Sequence, residues 1–362
     1  NANGTFQFRT VAKKDDDEGE GSNDHPSAKR SLIRVCSPFK VIRKVEHLDS
    51  EGLIERVSAD CALIDSSGRY VFLTVDADKF LSSDLLKDLT SKGLRVFNGQ
   101  SPLALLRSIY NELEPEVPTV RAVTRQGVQK SGSIVIDGLV IGDEDNLVID
   151  PRMKRGFSVR GTHAEWIMAV SLPALASHAA VFSISHAFAA LLKYAADLPD
   201  AVFNLYGPSS SGKTKALYAS SSVLGYWKTL AETWLGTGPG FELAATRAQG
   251  WSWYIDEARI GLADKTDDHM IFALMNGRAK SRAIGHGGIG ANLSIWGLST
   301  QEEREEDAYK GRPRSGVDVR LFSLPTGYDL ERGAFEKARD ADDAKAMADR
   351  IQDGCDQYFG TP

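Results

Sequence analysis

Apolar and polar positions alternate along much of the first part of the chain, which is the pattern of half-buried strands. The stretches SPFKVIRKVEH and GLIERVSADCALIDSSGRYVFLTV follow this pattern, and the turn residues SSG interrupt the second one. Apolar residues recur at helical spacing in DLLKDLTSKGL and PLALLRSIYNEL, and GSIVIDGLVIG returns to a strand pattern. We therefore expect an α+β N-terminal domain of mixed element order at residues 31–158, in which no catalytic constellation is visible.

The pattern changes after Gly161. The long Ala-rich stretch THAEWIMAVSLPALASHAAVFSISHAFAALLKYAADL has helical character and predicts a helical connector at residues 159–200. Strands then alternate with helices over residues 201–330, and residues 331–362 predict a polar amphipathic helix or a helical pair. Strands that alternate with helices are typical of a parallel sheet. The expected fold class is therefore α/β, with the α+β domain preceding the parallel sheet.

Composition places the chain among soluble globular proteins, with 362 residues, 42% hydrophobic and 25% charged. Part of the net charge of −6 comes from the run KKDDDEGEGSND, so residues 1–30 are expected to form a disordered acidic tail. A protein whose whole surface binds nucleic acid is usually basic. The acidic balance therefore argues against a coat-like binder, but it is compatible with a narrow basic channel.

The cysteines, the histidines and the length of the apolar runs indicate which kinds of site and which cellular location to expect. Cys36, Cys61 and Cys355 stand far apart without a CxxC pair, which predicts neither disulfides nor a zinc site and favours a reducing cytoplasm. His178 and His186 could share a helix face, but no Cys or acidic residue stands at ligand spacing, so we interpret them as core or interface residues. No apolar run reaches the roughly 18–20 residues of a membrane span. The first residues are polar and predict no signal peptide, so we expect a cytoplasmic location and no membrane partner.

GPSSSGKT matches the phosphate-loop pattern G-x-x-x-x-G-K-[ST] at every fixed position. AVFNLY precedes it as a buried strand, and KALYASSSVLG follows it as a helix. This order brings backbone N–H groups and a helix N-terminus to one point, which suits the phosphates of ATP. Lys213 can reach the β- and γ-phosphates, and the Thr214 hydroxyl can ligate Mg²⁺. The expected nucleotide-binding residues are those of the whole loop: Gly207, Pro208, Ser209, Ser210, Ser211, Gly212, Lys213 and Thr214.

WSWYIDE supplies the acidic strand end that a phosphate loop needs. Its apolar residues predict a buried strand, after which Asp256 and Glu257 follow at once. Asp256 would hold Mg²⁺ through water, and Glu257 would orient and polarise the attacking water, because this chemistry depends on positioning and charge stabilisation. Two successive acids favour hydrolysis over transfer of the phosphoryl group.

Two later strands add candidate residues. LSIWGLST ends in hydroxyls and would lie beside the acidic strand, so that Ser299 or Thr300 faces the γ-phosphate as a sensor. VDVRLFSLP is the last strand, and an arginine near it could reach the γ-phosphate of a neighbouring subunit. The candidates for that role are Arg312, Arg314 and Arg320.

MNGRAKSRAIGHGGIG, between the acidic and hydroxyl strands, reads as a basic hairpin with a Gly-rich turn. Inserted into the channel of a ring, such a hairpin could follow a DNA backbone. The alternative is an exposed loop without a role in binding. The candidate DNA-binding residues are Arg278, Lys280, Arg282 and His286.

These stretches resemble the bacterial and phage family called domain of unknown function 927, found in primase-helicase-like proteins of mobile elements. The resemblance implies an AAA+-type ATPase core similar to superfamily-III and minichromosome-maintenance-like helicases, with ATP and Mg²⁺ as cofactors. It assigns Lys213, Thr214, Asp256, Glu257 and Thr300 the roles given above. The stretches that carry it are SPFKVIRK, GTHAEWIMAV, FNLYGPSSSGKTKALYASSSVLG, YIDEARIGLAD, MNGRAKSRA, LST and GVDVRLFSLP.

The sequence therefore predicts an α/β protein with a P-loop, AAA+-like core, acting as a ring helicase or translocase. The expected partners are single-stranded or forked DNA, further copies of the chain in a homo-hexamer or other ring, and a primase or other replication protein. The alternative is a nucleotide-gated assembly module in defence or regulation, without unwinding activity. A small-molecule kinase would need an acceptor pocket and a lid, for which the sequence offers no candidate residues.

Overall fold

A computed structural model describes residues 35–48, 52–97, 102–113, 116–143, 146–153, 156–233, 238–256, 294–302, 320–327 and 332–362. These residues belong to two compact units. The first comprises the described residues up to Leu48 together with Ile54–Arg121, and the second comprises those of Asp49–Leu53 and Ala122–Pro362. The division falls between Arg121 and Ala122, and the domain boundaries expected from the sequence stay predictions.

The first unit combines a sheet with two α-helices. Strands run in the order β3-β2-β1-β4, and β1, β2 and β3 are antiparallel neighbours. A 3₁₀ turn at Ala77–Leu81 follows β3. The elements are β1 (Phe39–Leu48), β2 (Ile54–Ile64), β3 (Tyr70–Asp76), α1 (Asp84–Ser91), α2 (Pro102–Leu113) and β4 (Thr119–Val123), on which the chain enters the second unit.

Alternation explains this first sheet. Phe39 of β1 stands opposite Leu63 of β2, and Val41 stands opposite Cys61, and all four side chains are buried in one core. The helices add apolar side chains at helical spacing, such as Leu85 in α1. The predicted strands, the break at SSG and both predicted amphipathic helices are confirmed.

The second unit begins with short strands and a helical stretch. β5, β6 and β7 form a small antiparallel sheet in that order. A π-helical turn at Ile167–Ser171 joins two short helices, and the Thr162 side chain caps the first of them in a capping box with Glu165. The elements are β5 (Gly127–Val128), β6 (Ile134–Ile136), β7 (Leu139–Ile141), β8 (Leu147–Ile149), α3 (His163–Trp166), α4 (Leu172–Ala174) and α5 (His178–Leu192).

A parallel sheet of five strands forms the centre of the second unit. Its order is β10-β11-β12-β9-β13, and every pair of neighbours is parallel. The predicted parallel sheet is therefore observed, and the strand AVFNLY has the predicted bounds. The elements are β9 (Ala201–Tyr206), α6 (Lys213–Ser221), α7 (Trp227–Leu230), β10 (Ala231–Thr233), α8 (Gly238–Arg247), β11 (Trp253–Asp256), β12 (Trp296–Gln301), β13 (Leu321–Pro325) and α9 (Ala341–Gln357).

The strands of this sheet contain runs of apolar residues, which are typical of a parallel sheet covered on both faces. In β9 and β11 most side chains are buried irrespective of alternation, as expected where both faces of a sheet are covered. α5 and α9 contribute to the same core through Ala187 and Ile351. The C-terminal stretch forms one helix, α9, whose first turn is capped by the Asp340 side chain accepting from the Asp343 N–H at 2.8 Å.

The three cysteines and the two histidines of α5 lie among the described residues. Cys36, Cys61 and Cys355 are free and buried. His186 is buried against Trp296 as a core residue, whereas His178 is exposed at the start of α5 and pairs with Glu336. Within the described residues no three His, Cys, Asp or Glu side chains cluster as metal ligands, and no helix has the length and apolar character to cross a membrane.

Candidate functional site

The loop Gly207–Thr214 joins the carboxyl end of β9 to the N-terminus of α6, as the sequence predicts. Two of its residues have positive φ, Ser210 at 61° and Gly212 at 93°. A Cβ on Gly212 would lie 2.9 Å from the Phe335 ring, and one on Gly207 would overlap the backbone oxygen of Thr326. Left-handed residues turn successive N–H groups toward one side, which makes a concave site for an anion.

The Lys213 side chain folds back inside this loop. Its Nζ donates to the backbone oxygens of Gly207 at 2.8 Å and Pro208 at 2.7 Å, and to Ser211 Oγ at 3.3 Å. Burial lowers the pKa of Lys213, and the carboxylates of Glu302 and Asp256 oppose that shift. A phosphate would offer the buried ammonium a charged acceptor, which makes stronger hydrogen bonds than a neutral carbonyl.

Three polar side chains converge beside the loop, at the carboxyl edge of the sheet. Asp256 Oδ1, at the end of β11, accepts from Thr214 Oγ1 at 3.2 Å and from Thr300 Oγ1 at 2.5 Å. Hydroxyl and carboxylate oxygens are the hard ligands that Mg²⁺ prefers. Thr214 and Asp256 therefore fit the predicted magnesium site chemically, and Thr300 holds the carboxylate from the neighbouring strand.

Strand alternation decides between the two hydroxyls of β12. Ser299 is buried and donates to Asn204 Oδ1 of β9 at 3.1 Å, whereas Thr300 meets Asp256. β12 lies between β9 and β11, so the hydroxyl strand does lie beside the acidic strand. Of the two candidates, Thr300 is the one positioned at the site.

A cavity of about 430 Å³ extends from the loop toward the C-terminal segment. The backbone N–H of Ala334 donates to Ser211 O at 2.7 Å, which joins that segment to the loop. Arg332 is held by backbone oxygens of Glu336 and Ala338, both at 3.1 Å. The cavity is lined by residues 208–215 and by Gly327, Arg332, Gly333, Phe335, Ala341, Ala344, Lys345, Ala348 and Asp349.

The sequence analysis predicted neither the part of the cavity formed by the C-terminal segment nor the contribution of Glu302. The spacing of Ala341, Ala344 and Ala348 marks one face of a helix with small side chains, but sequence does not say what packs on that face. Glu302 directly follows the hydroxyl strand, and its charge acts on the Lys213 ammonium. The position of Glu302, two residues after the predicted sensor Thr300, was the sequence signal that could have identified it.

The other predicted residues lie elsewhere. Arg320 directly precedes β13, and its backbone oxygen accepts from the Val202 N–H at 2.8 Å. This is the amino edge of the sheet, opposite the phosphate loop. The remaining candidates are outside the described residues: Glu257, Arg278, Lys280, Arg282, His286, Arg312 and Arg314.

Residues 10–292 match the protein family described as a domain of unknown function, DUF927. The chain belongs to this family. The match covers β1 to β11, including the phosphate loop and Asp256, and it ends before β12 and β13. No curated protein sequence matches the chain significantly.

One solved structure has a similar fold at low sequence identity. An SCCmec type IV Cch protein, described as an active helicase, is 16% identical with a TM-score of 0.60 over 91% of this chain. The match covers 60% of that protein, so this chain spans little more than half its length. The apo C-terminal region of NrS-1 aligns over 88% of this chain and 66% of its own, at 8% identity and a TM-score of only 0.33. The overall fold is thus a mixed α/β arrangement like that of the Cch protein.

Proposed function

We propose that this chain is an ATP-hydrolysing motor with an AAA+-like core, acting as a ring helicase or translocase on DNA. The observation that carries the proposal is the convergence of Thr214, Asp256 and Thr300 next to a phosphate loop that already surrounds Lys213. The placement of the hydroxyl strand between the loop strand and the acidic strand supports an AAA+-like core. The likeness of the fold to a protein described as an active helicase supports a helicase or translocase function.

In this proposal the loop N–H groups and Lys213 bind the phosphates, and Thr214 and Asp256 hold Mg²⁺. The cation supplies charge neutralisation on the phosphates when it is bound. Glu257 orients the attacking water, and Thr300 keeps the Asp256 carboxylate in place. The cavity against the C-terminal segment has room for the rest of the nucleotide.

Arg320 supports a site shared between subunits. Pro325 follows Leu321 by four residue steps, which is about 13 Å along β13. The arginine therefore stands too far from its own phosphate loop to contact it, and Arg320, Arg312 or Arg314 would serve a neighbouring copy in a ring. Mixing the inactive Arg→Ala protein with Lys213→Ala protein should then restore part of the activity.

The test is ATP hydrolysis with and without single-stranded DNA. A motor should hydrolyse ATP faster when DNA is present, and Lys280→Ala with Arg282→Ala should reduce that stimulation while nucleotide binding persists. Hydrolysis that is insensitive to DNA would favour the nucleotide-gated assembly module instead. Absence of hydrolysis under all conditions would contradict both functions.

A further inference from the structure

The sheet of the first unit has one face that its helices do not cover. Its other face carries the buried residues Phe39, Val41, Cys61 and Leu63. The intervening residues point away from that core, and the strand register sets them in rows across β1, β2 and β3. The open part of this face comprises Lys40, Arg43, Asp60, Ala62, Ile64, Tyr70, Phe72 and Thr74. Farther along β1 and β2 the same face is covered, because Val45, His47 and Ser58 are buried there.

Two aromatic rings dominate the open face. Tyr70 is 70% exposed and Phe72 is 71% exposed, and neither ring contacts another ring in the described part of the chain. Each ring is paired across the strands with an aliphatic residue of β2: Tyr70 with Ile64, and Phe72 with Ala62. These aliphatic side chains extend the apolar surface beside the rings. Large apolar groups left exposed together mark a binding surface more often than singly exposed ones do.

The spacing of the rings suits successive bases. Residues two apart on a strand are separated by about 6.6–6.8 Å. This is about twice the 3.4 Å rise per base of a stacked strand, so the two rings match successive bases only when the strand is extended and its bases are unstacked. Tyr70 and Phe72 can therefore each receive one base of an extended single strand, irrespective of base identity, because every base has a flat π-face.

Charge on the open face suits a polyanion. Asp60 is already neutralised, accepting from Arg43 Nε at 2.7 Å and from Thr74 Oγ1 at 2.7 Å. Lys40 lies opposite Ala62, in the same row as Phe72, and it is exposed and forms no ion pair with any described residue. The cation therefore remains available at the side of the rings where a phosphate backbone would pass.

We propose that the open face binds single-stranded nucleic acid, with bases stacked on Tyr70 and Phe72 and the backbone beside Lys40. The site lies wholly in the first unit and works without nucleotide hydrolysis. Its failure is therefore distinguishable from failure of the motor function.

The test measures binding of the full chain to a fluorescent oligo(dT) of about 16 nucleotides, the upper site size of single-strand binding folds, without ATP. A matched abasic oligonucleotide keeps the phosphates and removes the bases. Replacing Tyr70 and Phe72 together by Ala should weaken oligo(dT) binding by about 5-fold to 150-fold for each stacked base. Binding of the abasic strand should stay as in the wild type.

Two single variants separate stacking from other contacts. Phe72→Leu keeps an apolar side chain, so it should lose affinity for oligo(dT) while a contact with a protein partner would survive. Lys40→Gln should flatten the dependence of log affinity on log salt concentration by about 0.7. Leu81→Ala, a change at a 79% exposed residue of the 3₁₀ turn that follows β3, is the control and should change neither quantity.

Equal binding of oligo(dT) by the wild type and the Tyr70/Phe72 double variant, with equal thermal melting, would overturn the proposal. Equal affinity of the wild type for oligo(dT) and for the abasic strand would also overturn it, because only phosphate contacts would then account for binding. Binding of oligo(dT) by Phe72→Leu with the wild-type affinity would overturn it as well. The Lys213→Ala protein should bind oligo(dT) normally. A wild type that binds through these rings but hydrolyses no ATP would contradict only the motor function.

Discussion

The two main sheets of the protein carry their polar and aromatic residues in opposite ways. In the parallel sheet both faces are covered, and the functional candidates lie at one edge, where Thr214, Asp256 and Thr300 are hydrogen-bonded to each other. In the sheet of the first unit one face is covered, and part of the other presents Tyr70 and Phe72 to solvent. A covered sheet therefore concentrates chemistry at its strand ends, whereas an open face offers area for contact.

This difference predicts that substitutions at the edge of the parallel sheet and substitutions on the open face have different effects. A change at the edge of the parallel sheet should alter chemistry or stability, because the side chains there are buried and partnered. A change on the open face should alter binding alone.

The largest expected effect is on chemistry. Glu257→Gln should slow ATP hydrolysis by roughly 100-fold or more, because the carboxylate that orients the water is lost. ATP binding, and binding of oligo(dT) without nucleotide, should stay unchanged. Steady-state hydrolysis and equilibrium binding measure these quantities. Hydrolysis at the wild-type rate would remove Glu257 from the site.

The next effect is on stability. Gly207→Ala should lower the free energy of unfolding by about 1–3 kcal/mol, since its Cβ would overlap the Thr326 backbone directly after β13. Gly138→Ala is the matched control, because no atom lies within 4 Å of the added Cβ. Denaturant unfolding compares the two variants. An equal midpoint for both would show that the loop is not held against Thr326.

A third effect, of similar size, appears only when the pH is changed, and it tests whether the parallel sheet is covered on the α5 side. Burial lowers the pKa of His186 to about 3, whereas an unfolded chain has a histidine pKa near 6.5. The unfolded chain therefore binds more protons between those values, and stability falls as pH falls through that window. From pH 7 to pH 5 this single group should cost about 2 kcal/mol.

His186→Phe should remove that contribution. Its ring would stay among Phe182, Phe203 and Trp296, and the hydrogen bond with Ser252 would be lost at both pH values. Unfolding in denaturant at pH 7 and pH 5 gives the comparison. The same pH dependence in variant and wild type would mean that His186 is accessible to protons in the folded protein.

The sequence predicted local features better than tertiary ones. β9 and the phosphate loop followed from an apolar run and a fixed pattern of Gly, Lys and Thr, because these signals are local. The choice between Ser299 and Thr300 needed the register of β12, since neighbouring residues of a strand face opposite sides. The packing of the C-terminal segment on Ser211 joins residues far apart in the chain, and no periodicity records such a contact.

The central claim is that Lys213 sits in a working nucleotide site. The most direct measurement is steady-state ATP hydrolysis with Mg²⁺ by Lys213→Ala and by Lys228→Ala, which removes an exposed lysine of α7 outside the cavity. We expect hydrolysis by Lys213→Ala to fall by roughly 100-fold or more, and hydrolysis by Lys228→Ala to match the wild type. Equal hydrolysis by both variants would contradict the assignment of the loop as the phosphate site.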